Sequence, residues 1–174
     1  MSSTALDALK EWHDFYIVIG TASATLIGAM FIVVSIGSGY LTEERAMAAR
    51  PFLTPTTIHL ATVLFGCAII VAPNLGWLSF GLIYGVGSAA GLAYSAVIAM
   101  RVRRRNIDIV DRMWYGLVPL IGYAVIASAA AMALRQDETA VDVLAAGFIT
   151  ILLAGMRNAW DMIFYLITRE RDSH

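Results

Sequence analysis

The chain has 174 residues, 59% of them hydrophobic and only 14% charged, with a net charge of -1. Soluble globular domains carry roughly 25% charged residues, so the composition excludes a water-soluble globule and describes an integral membrane protein. It also excludes a nucleic-acid partner, because the charges form no broad basic surface and the one basic run is flanked by apolar stretches. Cys67 is the only cysteine and lies in an apolar stretch, so there is no disulfide framework or thiolate metal site; it reads as a small core residue.

At the N-terminus, Thr4 with Asp7 reads as a helix start. Leu6, Leu9 and Trp12 line one side of that helix, and Asp7, Lys10, Glu11 and Asp14 the other, the pattern of a short amphipathic helix lying in the membrane interface. A signal peptide is not expected, since acids crowd the first 14 residues and the apolar stretch that follows is too long.

A span needs about 20 mostly apolar residues. Five stretches qualify, 15–39, 52–72, 77–100, 113–134 and 141–167, and they leave no room for a soluble domain. The expected fold is therefore all-α: a polytopic membrane bundle of five transmembrane helices, preceded by the interfacial helix and forming a single integral membrane domain over 1–174.

The first span carries a small-residue ridge, Gly20, Ala24 and Gly28, beside a weakly polar stripe of Thr21, Thr25, Gly28, Ile32 and Ser35. The ridge lets helices approach closely, and the stripe reads either as a pore lining or as ordinary packing. The second span starts with Pro51 and Thr54-Pro55-Thr56-Thr57 and contains His59, the one histidine within a span. Prolines and hydroxyls here read as a loosened helix start of the kind that lines ion or solute sites, or as a tolerated kink. Pro73-Asn74-Leu75-Gly76 then breaks the apolar run into two antiparallel helices. The third span holds Gly81, Gly85, Gly87 and Gly91, a second packing surface.

After it come Arg101, Arg103, Arg104, Arg105 and Arg112, five positive residues within 12 positions, which assign this loop to the cytoplasm. Arg45, Arg50, Arg169 and Arg171 then also fall inside, giving nine positive residues against Lys10 and Arg135 outside. The N-terminus is expected outside and the C-terminus inside, in a bacterial inner (cytoplasmic) membrane. Arg101, Arg103, Arg104 and Arg105 have a second use as a site for anionic lipid headgroups, making membrane lipid one expected partner.

The last span contains Arg157, Asn158 and Asp161. A lone Arg in hydrocarbon costs about 2.5–3.5 kcal/mol on insertion scales and calls for a partner; Asp161, at i+4, supplies one. The competing reading has the hydrocarbon end near Arg157, which snorkels, but that leaves the apolar run 162–167 outside the membrane. At ~1.5 Å per residue, His59 lies roughly 13 Å above Arg50, Asp161 roughly 12 Å above Arg169 and Arg157 roughly 18 Å. Tyr94, seven residues before Arg101, and Tyr123, ten after Met113, share that level. His59, Arg157, Asn158, Asp161, Tyr94 and Tyr123 are thus expected to form one polar cluster in the cytoplasmic half.

The sequence has no nucleophile beside a base, no H-E-x-x-H and no phosphate-binding glycine loop. No enzymatic activity, catalytic residue, metal or cofactor is expected. Intramembrane ionisable groups at one depth point instead to a small homo-oligomeric channel or carrier for an ion or small solute. Arg157 would favour anions or balance Asp161, and Asp161 with His59 could pass protons, histidine titrating near ~6.5 in water. The alternative is a non-transporting structural or accessory subunit that packs through its glycine-rich faces.

Overall fold

The computed structural model describes residues 11–38, 43–103 and 109–171, and side chains within 11–35, 54–103 and 110–161. The predicted interfacial helix falls mostly outside these residues, as do Arg104 and Arg105; of Arg45, Arg50, Arg169 and Arg171 only the backbone is described. The described residues are helical, without strands: α1 (His13–Ser38), α2 (Glu43–Ile70), α3 (Trp77–Arg103), a short α4 (Ile109–Arg112), a π-helical turn (Met113–Leu117), α5 (Val118–Leu134) and α6 (Ala140–Arg171). Four segments, His13–Ser35, Trp77–Arg103, Val110–Leu134 and Ala140–Asp161, are long and apolar enough to cross a membrane, and Thr54–Ile70 is a shorter apolar helix. These helices are compatible with a helical membrane protein.

Helix α2 begins at Glu43 and runs through both Pro51 and Pro55 without interruption, so the helix starts well before the predicted second span. Strong helix formers over 43–50 carry it back to Glu43. A second departure is the π turn, which leads into α5, where Pro119 sits in the first turn. Val118 N–H donates to the Met113 carbonyl, five residues back. Pro119 has no N–H to give and its ring would crowd the carbonyl four residues before it, so widening the preceding turn accommodates it. Gly116 lets the turn lie close against α3: a Cβ there would lie 3.1 Å from that of Ala99.

Helix α6 is central, packed against α1, α2, α5 and the π turn, while α3 packs on α5. The chain-order neighbours α2 and α3 scarcely touch. They are joined by the short turn over 71–76, with Asn74 in the left-handed region (φ 64°), a conformation asparagine tolerates better than most residues. At the same end of the bundle, α5 closes with a Schellman motif: Asp137 N–H donates to Met132 O (3.1 Å) and Gln136 N–H to Ala133 O (2.9 Å). Gln136, at φ 60°, takes the place glycine usually fills.

This hairpin end holds the large core. Rings link α1 to α6 and α3: Tyr16 stands edge-on against Phe148 (centroids 6.1 Å) and Phe148 against Tyr84 (6.0 Å), while Tyr84 meets Phe80 at a tilt (4.8 Å). Two tyrosine hydroxyls tie helices together, Tyr16 donating to Val141 O and Tyr84 to Gly66 O, both at 2.6 Å. Glycines admit the rings: an added Cβ at Gly66 would lie 2.3 Å from Phe148. Towards the opposite, basic end the buried apolar cluster shrinks to Met30, Leu60 and Ala159.

Candidate functional site

The structure brings three of the six predicted cluster residues together. Tyr123, on α5, lies across Gly91 of α3, where an added Cβ would sit 2.2 Å from its ring. Its hydroxyl is 3.1 Å from His59 Nδ1 and 3.2 Å from Thr62 Oγ1 on α2. Tyr94 completes the group with its ring centroid 6.3 Å from that of His59. Because the Thr62 hydroxyl donates to Ile58 O at 2.9 Å, one arrangement of protons satisfies all the contacts: His59 Nδ1–H donates to Tyr123, Tyr123 to Thr62 and Thr62 to the carbonyl. The chain ends on backbone and leaves no onward acceptor for a proton.

The other three residues lie on α6. Arg157 Nη1 donates to Asp161 Oδ1 at 2.5 Å, across one helical turn, with side chains 41% and 24% exposed. The groups that face this pair electrostatically are Tyr115 of the π turn and Asp111 of α4. No hydrogen bond or ion pair among the described residues joins it to His59. The polar level read from the sequence therefore contains two assemblies: an aromatic group with His59 across α2, α3 and α5, and an ion pair within α6 on the side of the π turn.

Asn158 has neither kind of partner. It is 1% exposed, and neither its amide oxygen nor its nitrogen makes a hydrogen bond. Gly155 and Ala159, on the same helix, press against Leu60 of α2. Asp161 stands at i+3 from Asn158, the spacing of neighbours on a helix surface, and its Oδ2 is also buried without a hydrogen bond. Ser95 Oγ on α3 is a third such group at this end. Among the described residues, the hairpin half has no buried side-chain polar atom in this condition. An unmet buried polar group costs about 1–3 kcal/mol, and ordered water or an ion is its usual explanation.

The remaining predicted residues face outward. Thr21, Thr25, Gly28 and Ser35 are exposed on α1, with the Thr25 hydroxyl bonded to Thr21 O (2.9 Å), whereas Tyr16, Gly20, Ser23 and Met30 form its buried face. The stripe lines no channel inside one chain. Arg101 and Arg103 are exposed at the end of α3. Sequence reasoning missed Thr62, whose contact with Tyr123 comes from another helix, and Ser95, whose burial depends on the packing around it. It also missed the π turn, for which Pro119 three residues after Gly116 was the available signal.

Comparison of the chain with protein-family models, characterised proteins and solved structures finds no match.

Proposed function

We propose that this membrane protein is a small homo-oligomeric channel or carrier for an ion or small polar solute, with its pathway through the basic half of the bundle. One observation carries the reading. The amide of Asn158 is buried within a single chain, so no neighbouring subunit can satisfy it; whatever does so enters the bundle. Asp161 Oδ2 is an acceptor in the same state, and Arg157 balances its charge. Intramembrane polar groups of this kind mark solute and ion pathways. Oligomerisation gives the outward hydroxyl stripe of α1 a place between copies, and closed symmetry is the default for such assemblies. The basic loop is cytoplasmic and the hairpin end external, as the positive-inside rule assigns them in a bacterial inner membrane. No catalysis is part of this function.

A second reading, a non-transporting accessory subunit, is favoured by the closed hydrogen-bond chain at His59, which resembles polar glue between helices. Flux from proteoliposomes separates the two. With purified protein at several pH values, transport predicts ion flux that Asp161→Asn lowers at least tenfold or shifts in pH while folding is kept. Absence of flux in the wild type, with a less stable mutant, would support the accessory role.

A further inference from the structure

The divergence of α2 from α3 leaves a slot of about 370 Å³ open on the outer face of the bundle. Along α2 it runs from Ile58 to Ile69, about 16 Å at 1.5 Å per residue. A volume of this size over this length has room for an extended hydrocarbon chain and is far below what a helix 10–12 Å across would displace. Ile83 and Gly87 of α3 form the opposite wall, and Tyr123 and Phe148 the floor. Phe65, 64% exposed, stands among the lining residues on the α2 side.

The hydroxyls in the lining are committed. Thr62 donates to Ile58 O, Ser88 to Gly85 O at 3.0 Å, and Tyr84 to Gly66 O. A polar solute would find no free donor there, whereas a hydrocarbon chain needs none. We infer that the slot seats one acyl chain of a membrane phospholipid, drawn from the leaflet at the hairpin end. Ile83 is six residues from Trp77 at that end, a depth of about 9 Å, while Ser88 is about 20 Å from Arg101 at the other. The chain fills the gap that the two helices leave and covers Tyr123 and Phe148 from the side. This inference stands apart from the transport reading.

Gly87 makes the test direct, because an added Cβ there meets nothing within 4 Å. The full chain, reconstituted in vesicles of phosphatidylglycerol and phosphatidylethanolamine and extracted in mild detergent, is examined by native mass spectrometry. The expected result is one retained phospholipid per chain in the wild type and at least a tenfold loss of that species in Gly87→Phe and in Ala61→Phe, which fills the slot from the α2 side. Ala89→Phe, exposed on a different face of α3, should keep it. Melting curves confirm that each variant is folded. A wild type that retains no lipid, or a folded Gly87→Phe that retains as much as the wild type, would overturn the inference.

Discussion

The two ends of this bundle solve the same problem differently. At the hairpin end, aromatic rings pass over glycines, tyrosine hydroxyls meet backbone carbonyls, and each buried side-chain polar atom among the described residues has a partner. At the basic end the apolar cluster is small, and an amide, a hydroxyl and a carboxylate oxygen are buried without hydrogen bonds. Lipid tails are as apolar as leucine, so helices in a membrane associate through close packing and polar ties. One end has both. The other gives up part of this stability, and unmet polar groups that persist in a fold are where a site is to be sought.

That contrast can be broken by substitution. The largest effect is expected at the hairpin end: Gly66→Val drives a side chain into the Phe148 ring and should cost about 1–3 kcal/mol, read as a lower melting temperature in detergent. At the basic end the sign reverses. Asn158→Leu replaces an unpartnered amide with an apolar side chain of similar volume and should raise stability by about 1–3 kcal/mol in the same assay; a strong destabilisation would show that the amide is satisfied within the fold. Tyr84→Phe removes the tie to Gly66 O and should cost about 0.6 kcal/mol by thermal or denaturant unfolding. Smaller still is the loop effect. The Thr139 hydroxyl and N–H, both bonded to Asp137 Oδ1, hold this carboxyl below the usual aspartate range. A depressed carboxyl contributes stability above its unfolded-state value, near pH ~4, and loses it as pH falls through the folded one. Melting temperatures compared at neutral and strongly acidic pH should thus show a small acid-side loss that Asp137→Asn removes.

Much of the architecture was legible because membrane helices announce themselves by length and composition. The ends of α3 and the hairpin turn follow from Trp77, the basic run and the Pro73–Gly76 breakers. Helix α2 was not legible at its start, since prolines that would end a helix in water are tolerated where surrounding helices restore the lost bonds. Depth counting placed His59, Tyr94 and Tyr123 at one level, and they meet. The same counting put Arg157 and Asp161 at that level but could not give rotation about the helix axis, which turns them toward Tyr115 and Asp111. Asn158 stood in the sequence as a companion of Arg157; its isolation depends on Leu60, Gly155 and Ala159, and no local pattern encodes that.

On the transport reading, something entering the bundle satisfies Asn158. Its most direct test is ion flux through proteoliposomes bearing Asn158→Leu beside the wild type, with melting temperatures taken on the same preparations. Transport through this site gives flux in the wild type and its loss in a variant that is as stable or more so. Equal flux in the two, or none in the wild type, would contradict it.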